Sequence, residues 1–166
     1  MQVGDDINGE TAGDSSGFSG SLSDDGTTVA IGAVYNNGNN GVNSGHVRVY
    51  LFDTTSWVQI GDDIDGETEK DYSGGSVSLS DDGTTVAIGA TGNDGNGTSS
   101  GHVRVYSFDT TSWVQIGDDI DGEALEDYSG RSVSLSDDGT IIAIGTVHND
   151  GNGDSSGHVR VYSLAN

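Results

Sequence analysis

Carboxylates recur in this chain at fixed intervals, and closely spaced carboxylates are the ligands of hard cations. The stretch GDDIDGE gathers Asp63, Asp65 and Glu67; it returns as Asp119, Asp121 and Glu123, and it opens the chain as Asp6, Asn8 and Glu10. Calcium takes about six to eight oxygens from carboxylates and carbonyls. Asp63-Ile64-Asp65-Gly66-Glu67 has the alternate spacing and the glycine of part of a calcium loop, so Ca2+ is the candidate cofactor. The rest of that loop pattern is absent, and a solvated acidic turn with Asp65-Gly66 at its tip is the simpler reading. A second polar cluster, NDGNG, places Asn93, Asp94 and Asn96 in one loop and Asn149, Asp150 and Asn152 in another. Such side chains can ligate a cation or hydrogen-bond a sugar. They also tolerate left-handed backbone, so a plain turn explains them equally.

His46, His102 and His158 stand at equivalent places in three copies of SGHVRVY, with Arg48, Arg104 and Arg160 two residues on. Repeated histidines make metal binding conceivable, but a hydrogen bond to a neighbouring loop is the expected role. The arginines are expected to pair with the aspartates of SDDG or GDD, as buried charges do. No Gly-x-Ser-x-Gly elbow, no His-Glu-x-x-His and no phosphate loop is expected. Ser, His and Asp recur in every unit, whereas an active site needs different groups converging on one place. The chain therefore reads as non-catalytic.

The elements that position these residues are dictated by composition and repetition. The 166 residues carry 27 acidic and five basic side chains, a formal charge of −22. Such a surface repels nucleic-acid phosphates and anionic membranes, and it welcomes cations or basic partners. No apolar run approaches the ~18 residues of a membrane span. The opening MQVGDDINGE has neither the basic start nor the apolar stretch of a signal peptide. There is no cysteine for disulfides or thiolate metal sites, 28 residues are glycine, and only 31% are apolar. The apolar residues alternate in short clusters, which is how a β protein with a thin core reads.

The chain is one unit written three times, over 1–57, 58–113 and 114–166, and the last two copies agree at 40 of 53 ungapped positions. Each unit predicts four strands; in the middle copy these are WVQIGDDI (57–64), GSVSLS (75–80), TVAIGA (85–90) and HVRVYSF (102–108). SDDGT and DTTS are tight turns, Gly83 supplying positive φ in the first. YSGGSVSLSDDGTTVAIGA (72–90) followed by SGHVRVY resembles the FG-GAP repeat of integrin-α-type propellers. The resemblance implies a β-propeller, an extracellular setting and a role in binding or scaffolding; a calcium-dependent or carbohydrate-binding module using the acidic loop face is the alternative, with another protein or a glycan as the partner. That family's calcium loop is replaced here by SDDGT, so its calcium site does not carry over.

The expected fold is all-β: a β-propeller built from three four-stranded blades per chain, with a β-trefoil as the alternative. In propeller order the strands run SVSLS, TVAIG, HVRVY, WVQIG from inside to outside. The chain then begins on an outer strand and ends one short, so residues 1–7 are expected to complete the last blade. Three blades do not close a ring. If each open face exposes about 500 Å² of apolar surface, the loss is on the order of 12 kcal/mol per face. Closure by homo-oligomerisation follows, with a six-bladed homodimer ahead of a nine-bladed homotrimer and residues 1–7 lent to a partner chain. The crossover 61–74 and the loop 91–101 are expected on one face, which becomes the binding face.

Overall fold

The Val/Ser and Val/Arg alternations become strands throughout the computed structural model, which describes residues 1–164; Ala165 and Asn166 lie outside the described residues. The first sheet contains β1 (Ser16–Leu22), β2 (Thr28–Ala33), β3 (His46–Phe52), β4 (Trp57–Gln59) and β5 (Ile64–Asp65). The second contains β6 (Ser73–Leu79), β7 (Thr85–Ala90), β8 (His102–Phe108), β9 (Trp113–Gln115) and β10 (Ile120–Asp121). The third contains β11 (Ser129–Leu135), β12 (Ile141–Thr146) and β13 (His158–Ser163). Each sheet is an antiparallel meander in the expected inside-to-outside order, and the third stops at β13. The outermost strands β5 and β10 come from the unit after the one whose sheet they complete, and among the described residues isolated parallel bridges, Gly45 to Ser73 and Gly101 to Ser129, join sheets. A trefoil, whose units share one barrel, is not what this chain forms. Among the described residues no helix is long and apolar enough to cross a membrane.

Two expected strands differ. WVQIGDDI is not one strand but two short ones, β4 and β5, both pairing with β3. Gly61 breaks it at φ +70°, and a Cβ there would lie 2.8 Å from Cδ1 of Trp113 in the next sheet. Residues 1–15 contribute no strand to the chain's own sheets. They lie instead against the first sheet as residues 58–67 lie against the second. Trp57 Nε1 donates to the Val3 carbonyl at 3.0 Å, and Trp113 Nε1 donates to the equivalent Ile60 carbonyl at 3.0 Å.

The core sits between sheets. Ala30, Val47, Val49 and Ile64 pack on Leu79, Val86 and Ile88; Ala87, Val103 and Val105 pack on Ile142 and Ile144. Serines of the inner strands stitch the same junctions. Ser19 and Ser76 donate to the carbonyls of Gly74 and Gly130 at 2.7 and 2.8 Å, and Ser21 and Ser78 accept from the amides of Leu79 and Leu135 at 3.0 Å. The SDDGT turns are linked as well, Asp24 N donating to Asp81 O at 3.0 Å and Asp81 N to Asp137 O at 2.9 Å.

The tight turns are held by aspartates that accept local hydrogen bonds. Asp53 accepts from Thr55 N, Thr55 Oγ1 and Ser56 N at 2.6–2.9 Å, holding Thr54 at φ +81°. These bonds favour the carboxylate and pull Asp53 down to about 2, the Thr55 hydroxyl contributing most. Asp25, Asp82, Asp109 and Asp138 are lowered by the same kind of bond. A carboxyl depressed in the folded state stabilises above its unfolded value and loses that contribution as pH falls through the folded one. Asp81 runs the other way, raised first by desolvation and then by Asp137 and Asp24. Five lowered groups outnumber it. The melting temperature is therefore expected to fall as pH drops from 3.8 toward 2, and to fall less in Asp53→Asn, whose turn has no charge to lose. An unchanged melting temperature across that window would contradict this account of the turns.

Candidate functional site

One face of β8 presents His102, Arg104 and Tyr106, because alternate residues of a strand share a side; Val103 and Val105, on the other face, pack on the third sheet. Two carboxylates converge on the polar face. Glu67 comes from the crossover that enters β6, and Asp119 from the bend between β9 and β10. Arg104 Nη2 pairs with Glu67 Oε1, and its Nε with Asp119 Oδ1 at 3.1 Å. Gln115 Nε2 donates to that same Asp119 Oδ1 at 2.7 Å. One oxygen of each carboxylate is thus engaged, and the other faces the histidine: Glu67 Oε2 and Asp119 Oδ2 lie 3.8 and 3.7 Å from His102 Nδ1.

The first sheet repeats the arrangement. Glu10 Oε2 and Asp63 Oδ2 lie 3.9 and 3.6 Å from His46 Nδ1, and Gln59 Nε2 donates to Asp63 Oδ1 at 2.8 Å. Arg48 sits slightly differently, with Nη1 3.7 Å from Glu10 and Nη2 donating to the Asn8 carbonyl at 2.9 Å. In the third sheet Arg160 pairs with Glu123, and His158 Nδ1 lies 3.9 Å from Glu123 Oε2. The described residues place no aspartate there, because that sheet has no outer strand.

The hydrogen bond expected for the histidines is absent where they are most buried. Nδ1 of His46 and of His102 is buried and finds no partner among the described residues. These side chains are 2% and 4% exposed, against 26% for His158. Burial pushes His102 below the ordinary imidazole value, outweighing the upward pull of Asp119, Asp71 and Asp121, so the ring is held neutral. A cleft of about 700 Å³ opens beside His46, lined by Glu10, Asp14, Asp62, Asp63 and Asp65 with the amides of Asn36, Asn39 and Gln59.

The acidic residues of one GDDIDGE stretch do not gather at one point. Asp63 faces His46 while Glu67 faces His102; Asp119 faces His102 while Glu123 faces His158. Each cluster takes its glutamate from one copy of the stretch and its aspartate from the next. Asp65 stands at the edge of the first cleft, where Asn39 Nδ2 reaches its Oδ2 at 3.4 Å, and Asp121 pairs with His102 in the ladder. Asp6 is hydrogen-bonded to Gln2 at 2.9 Å, away from any histidine of its own chain, and Asn8 offers its carbonyl to Arg48.

The NDGNG side chains bond to the chain's own groups, within the loop and beyond it. Asn93 accepts from Gly95 N, Asp94 accepts from Ser99 N at 2.7 Å, and Asn96 Nδ2 donates to the Gly122 carbonyl at 2.9 Å. Asn149 and Asp150 repeat the first two bonds with Gly151 N and Ser155 N, and Asn152 N donates to Ser156 Oγ. The second aspartate of SDDG, Asp82, likewise binds its own turn, and the aspartate that Arg104 takes is Asp119 of GDD. Sequence reasoning passed over Asp14, Asp71 and Asp127. Asp71 is buried and accepts from Glu67 N, Thr68 N and Thr68 Oγ1 at 2.8–3.1 Å and from Asn93 Nδ2 at 3.3 Å, tying the crossover to the loop. Its signal was a fixed offset of four residues after Glu10, Glu67 and Glu123.

Two further features lie on the loop face. The string Gly-x-Ser-x-Gly of a nucleophile elbow does occur, at 13–17, 97–101 and 153–157, with Ser15, Ser99 and Ser155 at φ +54°, +51° and +49°. It lies in loops that lead into strands, without the helix that follows a nucleophile elbow. An aromatic cleft of about 270 Å³ is lined by Phe18, Tyr35 and Tyr72 beside Arg131. The rings meet edge to face, Tyr35 centred 6.5 Å from Phe18 and 6.0 Å from Tyr72.

Part of the sequence and the overall fold are matched among known proteins. Residues 64–106 match the FG-GAP repeat. The chain's fold is similar to part of Kuenenia stuttgartiensis hydrazine synthase, with TM-score 0.55 and 15% identity over 88% of this chain and 33% of that one. It is equally similar to the periplasmic gluconolactonase PpgL of Pseudomonas aeruginosa, with TM-score 0.55 and 18% identity over 87% of this chain and 38% of that one. The chain thus spans about a third of either protein, and at such identities the likeness is one of fold, an all-β, propeller-like module. No curated protein matches the sequence.

Proposed function

We propose that this chain is a non-catalytic propeller module that assembles with a second copy into a closed six-bladed ring and presents its acidic loop face for binding, the FG-GAP resemblance favouring an extracellular setting. The observation that carries the reading is the pairing of the two ends. Among the described residues the third sheet has no outer strand, and residues 1–10 hold the place of an outer strand belonging to a blade that precedes the first. In such a ring residues 1–7 of each chain complete the other's last blade. Repetition of the Glu-His-Asp-Arg cluster supports binding over catalysis, since each copy offers the same groups. Light scattering after size exclusion is expected to give twice 17.0 kDa. Three times 17.0 kDa would replace the dimer with a nine-bladed trimer, and a stable monomer would refute the ring.

A second reading, a carbohydrate-binding module, draws on the cleft of Phe18, Tyr35 and Tyr72. Half-exposed ring faces beside an arginine are suited to stacking against a sugar while hydrogen-bonding its hydroxyls. Retention on immobilised glycans, abolished by Tyr35→Ala, is the expected result; no retention on any glycan would remove this reading.

A further inference from the structure

We infer that each complete blade carries a binding site for a divalent first-row metal ion, formed by one imidazole nitrogen and two carboxylates: His46 with Glu10 and Asp63, and His102 with Glu67 and Asp119. The first observation is the pair of orphaned nitrogens. Buried polar atoms almost always have partners, yet Nδ1 of both histidines has none among the described residues. Each points at two carboxylate oxygens 3.6–3.9 Å away, and the three ligand atoms of each group lie within 4.8 Å of one another. These separations are too long for hydrogen bonds. They are close to the spacing of neighbouring ligands on a metal, since bonds of about 2.0–2.2 Å to a tetrahedral zinc put its ligand atoms roughly 3.4 Å apart.

The second observation is how the other oxygens are held. Asp119 Oδ1 is engaged by Arg104 and Gln115, Glu67 Oε1 by Arg104, and Asp63 Oδ1 by Gln59. Such outer contacts orient metal-ligating carboxylates, and here they leave the histidine-facing oxygen of each one free. Two carboxylates against one guanidinium leave each cluster negative, and in the first blade Asp14, Asp62 and Asp65 add to that field. The donor set selects the ion. Calcium and magnesium want oxygen alone, whereas one imidazole with carboxylates suits zinc and its first-row neighbours.

The third cluster deepens the ring reading and rests on it. Glu123 and His158 are in place, and the aspartate is missing. Gln2 donates to Asp6 at 2.9 Å, as Gln59 donates to Asp63 at 2.8 Å and Gln115 to Asp119 at 2.7 Å. Asp6 of a second copy, carried on the strand that completes the third blade, supplies the third ligand there. The first two sites need no second copy.

Zn2+ is the probe. Chelator-treated protein, dialysed against Zn2+ and assayed by atomic absorption, is expected to hold three ions per chain in the ring and to melt higher than without metal. His102→Gln is expected to remove one ion per chain, and His46→Gln a second. Asp119→Asn, at a partly exposed position, repeats the His102 test without disturbing a buried ring. Asp6→Asn is expected to remove the third ion alone. No stoichiometric zinc, or zinc unaffected by the histidine and Asp119 substitutions, overturns the proposal whether or not the ring forms. Two ions per chain in a monomer, unaffected by Asp6→Asn, uphold the two internal sites and overturn the shared one together with the ring.

Discussion

Gly89→Ala is expected to destabilise the chain by about 3 kcal/mol or more, the upper range for forcing atoms into a packed interior. Gly89 lies on the second strand of the middle blade, with the Gly130 carbonyl of the next blade directly in front of it. A Cβ there would fall well inside van der Waals contact of that carbonyl and 2.5 Å from Ser76 Oγ. The serine can turn away, but the carbonyl is backbone. Gly130 is itself wedged in, since a Cβ on it would meet the His102 carbonyl at 2.6 Å, and its φ is +83°. Neither backbone can retreat without separating the two blades and breaking the Ser76 to Gly130 hydrogen bond. Domains of this size lose roughly 2–4 °C per kcal/mol, so the melting temperature should drop by about 6–12 °C. Gly20→Ala is the control. It is an inner-strand glycine whose Cβ would meet only the Ala30 carbonyl at 3.8 Å, an ordinary contact. That change should be neutral or stabilise by about 0.5–1 kcal/mol, as alanine loses less freedom than glycine in a strand. A Gly89→Ala protein melting within a degree of the parent would mean that the blades do not meet backbone to backbone here.

The same junction shows where sequence reading succeeds and where it stops. Strand order was legible because Val77 and Leu79, or Val103 and Val105, alternate with small or polar residues, and because the turn glycines recur in step. The serines between them were not. A serine alternating with valine reads as the wet side of a strand, whereas both faces of a blade are covered by neighbours. Ser19, Ser21, Ser76 and Ser78 use hydroxyls to satisfy backbone groups of the next blade. The site was half legible for a similar reason. The residue types in GDDIDGE and SGHVRVY announced a cation-friendly cluster, but the grouping is set by the crossovers. Glu67 and Asp63, four residues apart, go to different histidines because β5 and the chain after it pass from one blade to the next. Asp71 escaped notice because a lone aspartate in an acidic loop looks solvated, although the fold buries it under four hydrogen bonds.

Gly145→Ala is expected to leave the chain folded and to prevent the ring from closing. Gly145 is the third-blade counterpart of Gly32 and Gly89, and within one chain its Cβ would press on nothing but Ser132, chiefly the hydroxyl, which can rotate. The backbone that should stand before it belongs to the next blade. Gly17, at φ +87°, is the counterpart of Gly74 and Gly130, and a Cβ on it meets nothing within 4 Å. The two open faces thus hold the two halves of the junction seen inside the chain. They are complementary in other respects too. Val159 and Val161 are 68% and 66% exposed where Val103 and Val105 are 0% and 2%, and Phe18 and Leu22 are exposed on the opposite face. Each valine buried on closure contributes about 1.5–3 kcal/mol. A clash of about 3 kcal/mol at each of two junctions weakens a dimer on the order of 10^4-fold, at about 1.4 kcal/mol per tenfold. Light scattering should therefore show the parent at twice 17.0 kDa and Gly145→Ala at 17.0 kDa, with similar far-ultraviolet dichroism. Val161→Asp places a charge on the same face and should separate the chains in the same way. A Gly145→Ala protein that keeps the parent's dimeric mass would mean that the third and first blades do not meet as the inner blades do. The shared Glu123-His158-Asp6 site would then lose its geometric basis, while the sites at His46 and His102 would stand untouched.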